Sequence, residues 1–379
     1  MRARDHGIAI GEGTPGPLNA ITDVAGVRVG HTTLIEGSGP LMVGRGPVRT
    51  GVTVLLPPDD IWDQPVFAGA HRLNGNGEMT GLEWVRESGM LTSPVALTNT
   101  HSVGVVRDAL LAEMLVGRAV GPETPWALPV VAETWDGVLN DLNGFHVRPE
   151  HVRAAVKAAA DGPVAEGAVG AGTGMICHGF KGGIGTASRV SPGSEGGHIV
   201  GVLVLANHGQ RHRFAVNGVP VGRALDDVPL PGPASGDGRA GPCGGGGTGS
   251  GAGSIIVIVA TDAPLLPHQC TRLAQRAGLG VARVGGVGEH TSGDLFLCFA
   301  TGNRGMTPGE IDETAPHTFP LAMLADAHIT GLFEAVVEAT EEAIVNAVLA
   351  ATTTEGRDGV VAYALTGERL VRALAEAGR

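Results

Sequence analysis

Short apolar runs alternate along this chain with segments in which apolar residues recur every three or four positions. The first pattern is typical of strands and the second of helices, so their alternation predicts a mixed α/β protein. The clearest strand contains five consecutive β-branched apolar residues, Ile255 to Val259, as expected for a strand covered on both faces. The runs predict strands at Val27–His31, Gly51–Leu56, Pro94–Leu97, Val130–Glu133, Gly170–Thr173, His198–Ala206, Ile255–Ala260 and Asp294–Ala300.

Apolar residues at helical spacing predict the helices. In Ser102–Val116 the repeat is carried by Val103, Val106, Leu110 and Met114. Pro264–Ala277 is predicted as a second helix, with Asp262 as its N-cap and Gly278 closing it. Towards the end of the chain the pattern predicts a long helix at Ile329–Ala350 and a short one at Val371–Ala377.

The segment before the clearest strand is unusual. Gly241–Gly253 reads GPCGGGGTGSGAG, with eight glycines among its thirteen residues, and Ser254 follows it directly. A flexible linker explains such a run. Self-cleavage explains it too: a cut between Gly253 and Ser254 frees an α-amine, with a reference pKa of about 7.7–8.0, that can accept the proton of the Ser254 hydroxyl. Ser250 is a weaker candidate because residues 251–253 separate it from the strand.

Composition narrows the classes of function. A net charge of −12 argues against a nucleic-acid partner, since no basic stripe is available for phosphates. The four cysteines are widely spaced, as expected for reduced thiols. No signal peptide or membrane-spanning run is recognisable, so a cytoplasmic protein is expected. The elements after Gly253 are too few to cover both faces of the central strand, which predicts one co-folded unit over residues 1–379.

Polar residues at the ends of predicted strands are the candidates for catalytic and substrate-binding roles. Ser292 and Asp294 precede a strand and could hold the Ser254 amine, although a turn with local hydrogen bonds is equally compatible. Asn207 ends a strand and offers amide donors for an oxyanion hole. Glu133 could bind a substrate ammonium group and Trp135 could form a pocket wall. Solvated carboxylates beside a half-buried tryptophan remain the alternative for this segment.

Three other motifs do not support the prediction of a function. The segment GAVGAGTGMICHG, residues 167–179, lacks the lysine and spacing of a phosphate loop. His208 and His212 have a glycine between them where a metalloprotease has its glutamate, so no metal and no cofactor are predicted. The serines of TASRVSPGS, residues 186–194, do not form a nucleophile elbow and are expected in a loop.

With these residues in view, the chain resembles the self-processing serine aminopeptidases of the DmpA type, which include the β-peptidyl aminopeptidases. The similarity extends over nearly the whole chain, through NAITDVAGVRVGHTTL, NGNGEMTGLEWVRESG, VVAETWDGVLNDLNG and GAVGAGTGMICHGFKGGIGTAS. After the glycine run it continues in GSIIVIVATDAPLLPHQ and SGDLFLCFATGN. So many long motifs in one order favour processing at Gly253–Ser254 over a simple linker.

The resemblance implies a four-layer αββα sandwich similar to N-terminal-nucleophile hydrolases but with its own connectivity, assembled as a homotetramer. It implies an α chain, 1–253, and a β chain, 254–379, with Ser254 as nucleophile. Ser292 and Asp294 match the family's supporting pair, and Asn207 matches its oxyanion asparagine. Glu133 matches the acid near the substrate amine, and Trp135 matches an aromatic pocket residue.

The function expected from these features is hydrolysis of short peptides, amides or esters, with release of small N-terminal residues. Two alternatives remain: an acyltransferase on a related fold, and an unprocessed scaffold protein. The sequence does not decide between L-α, D and β residues as substrates.

Overall fold

A computed structural model describes residues 1–58, 61–118, 126–233, 253–306 and 316–378. Gly241 to Ala252, with Cys243 and Ser250, therefore lie outside the described residues. The helices are α1 (Leu82–Ser88), α2 (Val103–Met114), α3 (Pro149–Ala158), α4 (Pro267–Arg283), α5 (Thr330–Ala350) and α6 (Gly367–Ala377). The strands are β1 (Arg28–Glu36), β2 (Val48–Leu56), β3 (Val66–Gly75), β4 (Met90–Leu91), β5 (Val95–Asn99), β6 (Val130–Thr134), β7 (Ile176–Cys177), β8 (Phe180–Lys181), β9 (Gly183–Val190), β10 (Ile199–Asn207), β11 (Gly232–Pro233), β12 (Ser254–Thr261), β13 (Gly293–Ala300), β14 (Thr354–Glu355) and β15 (Val360–Ala362).

Two sheets stacked face to face form the centre of the described structure. The larger has six strands in the order β4-β3-β13-β12-β10-β9, and the smaller has four in the order β1-β2-β5-β6. Helices α4 and α5 pack on the outer face of the six-stranded sheet, and α2 and α3 pack on the outer face of the four-stranded sheet. The result is the four-layer αββα sandwich that the family resemblance implied.

Alternation along β12 explains why this strand is apolar at every position from Ile255 to Ala260. Ile255, Val257 and Val259 belong to the core between the six-stranded sheet and α4 and α5. Ile256 and Ile258 belong to the core between the two sheets. A strand with helices on one face and a second sheet on the other has no exposed side. Ser254 is the first residue of this buried strand.

Most predicted elements are present, but five predictions are wrong. Gly170–Thr173 is not a strand; it lies in a 3-10 helix, Gly170–Gly174. Helix α4 begins at Pro267 rather than Pro264, and its N-cap is Leu266 rather than Asp262. The carboxylate of Asp262 instead accepts the backbone N–H of Ile199 at 2.8 Å.

Helix α4 also does not end at Gly278 but continues to Arg283. Gly280 packs closely against Thr340 of α5, and the chain stays helical across this contact. The serines of residues 186–194 do not all lie in a loop, since Ser188 is part of β9.

Close approach of α5 to β9 depends on a glycine. A Cβ placed on Gly185 would lie 1.9 Å from the carbonyl oxygen of Ala343 and 2.8 Å from the Cβ of Ala347. Since both neighbours are fixed parts of α5, an added side chain can be accommodated only if the helix moves away from the sheet.

We expect Gly185→Ala to lower the free energy of unfolding by about 1–3 kcal/mol, because the methyl group overpacks the contact between α5 and β9. Gly104→Ala is the matched control: Gly104 lies in α2 with nothing within 4 Å of its Cβ position. There the same change is expected to be neutral or to stabilise by up to about 1 kcal/mol. Urea denaturation of both variants measures the difference, and equal stability of the two would contradict this account of the packing.

Candidate active site

Three strand ends meet at Ser254. The antiparallel register of β10 and β12 pairs Asn207 with Ser254, so their side chains lie on the same face of the sheet. On the other side, β13 runs parallel to β12, and the backbone N–H of Gly293 donates to the Ser254 hydroxyl oxygen at 3.0 Å. Ser254 is only 6% exposed. Its hydroxyl is therefore held in a fixed position at the edge of the core between the two sheets.

Gly253 contacts the same strand end. A Cβ at this position would lie 2.0 Å from the carbonyl oxygen of Asn207, so the backbone before Ser254 passes too close to β10 for any side chain. The residue before Ser254 is therefore a glycine for a steric reason, and not only because glycine makes the chain flexible.

Ser292 and Asp294 form a hydrogen-bonded pair beside Ser254. The Ser292 hydroxyl donates to Oδ1 of Asp294 at 2.5 Å, and the same oxygen accepts the backbone N–H of Ile255 at 3.3 Å. Both side chains are buried. Burial raises the pKa of the Asp294 carboxyl, while the hydrogen bond from Ser292 opposes that rise. The structure thus links this carboxyl to the residue that follows Ser254.

The loop that carries Ser292 is fixed by two asparagines that the sequence analysis did not single out. Asn74 donates to the carbonyl of Glu289 at 2.5 Å, and Asn76 donates to the carbonyl of Thr291 at 2.7 Å. The pairing of β3 with β13 also shifts register between Asp294 and Leu295. Such irregularities are frequent beside active sites because they redirect side chains. The signal in the sequence was the NGNG segment, residues 74–77, which ends β3.

The Asn207 side chain is oriented by two backbone groups. Its Oδ1 accepts the N–H of Ile176 at 2.8 Å, and its Nδ2 donates to the carbonyl of Trp135 at 2.8 Å. One partner is a donor and the other an acceptor, so the two ends of the amide are distinguished by their contacts. The second N–H of Nδ2 has no partner within the described part of the chain.

Glu133 is a buried carboxylate, not a solvated one. It is 3% exposed, its Oε1 accepts the N–H of Glu78 at 3.0 Å, and its Oε2 accepts the hydroxyl of Thr100. None of the described lysines, arginines or histidines forms an ion pair with it. Burial raises the pKa of this carboxyl, although the two hydrogen bonds oppose the rise. A buried carboxylate without an ion-pair partner among the described residues is suited to receive a cation from a ligand.

One cavity brings Ser254, Glu133 and Trp135 together, whereas Asn207, Ser292 and Asp294 are not part of its lining. It has a volume of about 540 Å³, and its walls include Ser254, Gly253, Glu133, Trp135, Thr100 and His101. Ser254 belongs to the six-stranded sheet and Glu133 to the four-stranded sheet, so the cavity opens at one end of the sandwich between them. Two further cavities, of about 640 and 810 Å³, contain none of the predicted site residues.

The strand end after Glu133 is also more buried than a solvated segment would be. Trp135 is half-buried against Gly137 and lines the cavity. Asp136 is buried and accepts hydrogen bonds from the amides of Asn99 and Asn140, each at 3.1 Å. Burial raises the pKa of Asp136 to about 6. The alternative of solvated carboxylates is therefore wrong for this segment.

One group of described residues has metal-ligand chemistry that the sequence spacing did not reveal. Cys177, His178 and His208 are buried, and their ligand atoms lie within 4.8 Å of one another. Burial lowers the pKa of His178 to about 4; the hydrogen bond to the Gln210 carbonyl opposes this shift and the positive charge of Arg211 contributes to it. A neighbouring guanidinium also disfavours a cation in this buried position. We therefore assign no metal ion to the group.

Comparisons with known proteins identify the family of this chain. The profile of peptidase family S58 matches residues 19–362. The chain belongs to peptidase family S58. The β-peptidyl aminopeptidase BapA of Sphingosinicella microcystinivorans is 48% identical over 371 residues, covering 94% of this chain and 88% of the relative.

Solved structures of two aminopeptidases share the fold. A β-aminopeptidase from Burkholderia sp. matches with a TM-score of 0.90 and 53% identity, over 100% of this chain and 99% of the other. The L-aminopeptidase D-Ala-esterase/amidase of Ochrobactrum anthropi, described as a variant of the Ntn hydrolase fold, matches with a TM-score of 0.87 and 42% identity, over 100% of this chain and 99% of the other.

These findings confirm the predicted family and fold class. They also show that this S58 peptidase is a hydrolase of the aminopeptidase type. The two alternatives raised by the sequence, an acyltransferase and a scaffold protein, are not favoured.

Proposed function

We propose that this S58 peptidase cleaves its own chain between Gly253 and Ser254, and that the new Ser254 terminus removes N-terminal residues from short substrates with a free amine. The observation that carries the proposal is that Ser254 and the buried carboxylate of Glu133 line one cavity. A nucleophile and an ammonium-binding group in one cavity are the two requirements of an aminopeptidase. Cleavage would divide the co-folded unit into an α chain, 1–253, and a β chain, 254–379, which both contribute strands to the six-stranded sheet.

In the reaction that we propose, the free α-amine of Ser254 takes the hydroxyl proton as the oxygen attacks the substrate carbonyl. The bond between that carbon and the leaving amine then breaks, and the amine departs with the proton. Water hydrolyses the resulting ester to Ser254 in a second step, which releases the N-terminal residue. Asp294 and Ser292 would hold the α-amine, and the unpartnered N–H of Asn207 would donate to the oxyanion.

Glu133 would bind the substrate ammonium group, and Trp135 would form the adjacent wall of the pocket. The substrate residue would then be fixed at both its amine and its carbonyl. Because relatives that are 48% and 53% identical are named as β-aminopeptidases, we propose β-amino acid residues as the preferred N-terminal residues.

Replacement of Ser254 tests the central proposal. We expect Ser254→Ala to remain one intact chain and to lose hydrolysis of β-alanyl and L-alanyl p-nitroanilides, because both reactions require the hydroxyl. Ser250→Ala is the matched control and is expected to be processed and active. N-terminal sequencing of the unaltered protein should give a second terminus reading SIIVIV. A fully active protein that remains uncleaved would falsify the mechanism.

Replacement of Glu133 tests the binding of the ammonium group. We expect Glu133→Gln to raise KM about 10- to 100-fold with a smaller change in kcat, since hydrogen bonds to charged groups contribute about 1.5–3 kcal/mol. Protonation of Glu133 removes the charge that would bind the ammonium group, so KM of the unaltered enzyme should increase on acidification. Because the pKa of Glu133 is raised, this increase should begin at a higher pH than it would with an ordinary glutamate.

This pH dependence should be absent from Glu133→Gln. The control is Glu83→Gln, which removes a carboxylate that is 90% exposed on α1, and its KM should stay unchanged. An unchanged KM in Glu133→Gln would assign the ammonium contact to another group.

The assembly and compartment are also proposals. We propose a homotetramer, as the family resemblance implies, with Ile35, Met42 and Val43 providing exposed apolar surface for contacts between copies. None of the described helices is long and apolar enough to cross a membrane. The described cysteines, Cys177, Cys270 and Cys298, are free thiols. The free thiols support a reducing cytoplasmic location.

Light scattering of the purified protein should give about four times the mass of one chain. A mass equal to that of a single chain would contradict the tetramer. Ile35→Asp, on the exposed apolar surface, is expected to shift the assembly towards smaller species without unfolding the protein.

A further inference from the structure

Lys181 is a buried amine whose hydrogen-bond partners are backbone carbonyls. Burial lowers its pKa to about 7, while Cys177 and Asp136 oppose that fall. Its side chain is fully buried, and its Nζ donates to the carbonyls of Gly172, Met175 and Gly182 at 3.0, 2.8 and 2.8 Å. No carboxylate within the described residues forms an ion pair with it. An ammonium group has three hydrogens, and each has an acceptor here. Burying a lysine in this way costs stability that a methionine of similar length would not, which suggests a role beyond packing.

One of the three carbonyls leads directly to the candidate active site. Met175 C=O and Ile176 N–H belong to the same peptide group. The carbonyl oxygen of this group accepts from Lys181, and its N–H donates to Oδ1 of Asn207 at 2.8 Å. A hydrogen bond donated to the oxygen end of a peptide group polarises its N–H, and successive hydrogen bonds strengthen one another in a buried setting. The peptide group thus connects Lys181 to the Asn207 amide.

The other end of that amide carries a free donor, on the residue that pairs with the nucleophile. One hydrogen of Asn207 Nδ2 is used by the Trp135 carbonyl, while the second has no partner among the described residues. Asn207 lies opposite Ser254 in the register of β10 and β12. Withdrawal of electron density at Oδ1 makes the free N–H a stronger donor, and the Met175–Ile176 peptide fixes its direction.

We propose that Lys181 is a positioning residue for the oxyanion site: through the Met175–Ile176 peptide group it orients and polarises the Asn207 amide that faces the substrate carbonyl at Ser254. This inference depends on the proposed function of Asn207 and Ser254. Lys181 itself touches neither the substrate nor the nucleophile. Its effect should therefore appear in the chemical steps and not in recognition of the substrate amine.

A double-mutant cycle tests this pathway. Rates are expressed per processed chain, counted from the new Ser254 terminus, so that incomplete cleavage does not count as lost activity. We expect Lys181→Met to lower kcat about 10-fold or more, with KM and the inhibition constant of a simple alkylamine within about 2-fold. Affinity for an aminoalkyl boronic acid, which mimics the tetrahedral state, should fall in parallel with kcat.

The second half of the cycle uses Asn207→Ala. This variant alone should lower kcat about 100-fold, as expected for removal of an oxyanion donor. If Lys181 acts through Asn207, Lys181→Met should cause almost no further loss in the Asn207→Ala background. Losses that multiply independently would overturn the inference about Lys181. An unchanged kcat in Asn207→Ala would instead contradict the proposed oxyanion role, so the two failures are distinguishable.

Arg211→Met is the matched control for a general loss of structure. Arg211 is also buried and donates to carbonyls, including those of His178 and Leu225, but none of these carbonyls shares a peptide group with the N–H that donates to the Asn207 side chain. We expect a comparable loss of thermal stability with little change in kcat. Lys181→Gln, which keeps a neutral donor, is the second variant and should have an intermediate kcat. If kcat of both Lys181 variants falls no more than that of Arg211→Met, Lys181 has only a structural role.

Discussion

The register of three neighbouring strands controls the geometry of the site. Pairing of β12 with β10 places Ser254 opposite Asn207, and pairing of β12 with β13 places Ile255 beside Asp294. A shift of either register by one residue would turn the affected side chains to the opposite face of the sheet. The side chains of β12 are packed in two different cores, and this close packing on both faces opposes such a shift. Precision at the site thus comes from hydrophobic burial further along the same strand.

Sequence patterns predicted the central elements well because those patterns are strong. Five β-branched residues in β12 leave few alternatives to a buried strand, and the long apolar repeat of α5 is equally distinct. The wrong secondary-structure predictions fall in segments with small side chains or with more than one sequence signal for the start of a helix. Gly170–Thr173 has no side chains that define a period, and its conformation is set by packing against β2. Two prolines, Pro264 and Pro267, offered alternative starts for α4, and only tertiary contacts decide between them.

Predicting the site required a different kind of information. The residues proposed around Ser254 were identified by type and position, but their burial was not visible in the sequence. Glu133 and Asp136 each follow or end a strand, where exposed carboxylates are common, and the fold encloses both. Asn74, Thr100 and Lys181 lie far from Ser254 in sequence and reach the site through backbone groups or through Glu133. Contacts of that kind leave no periodic signal in one chain.

Glu133 and Ser254 belong to different sheets, and this has a consequence for the evolution of specificity. If they hold the two ends of a substrate residue, the length of that residue is measured against the thickness of the hydrophobic layer between the sheets. That layer is built from side chains such as Met79, Ala132 and Ile256. Adding or removing a methyl group there changes the spacing without altering any reacting atom. Relatives with the same polar groups can therefore diverge in the backbone length they accept through changes to the interior alone.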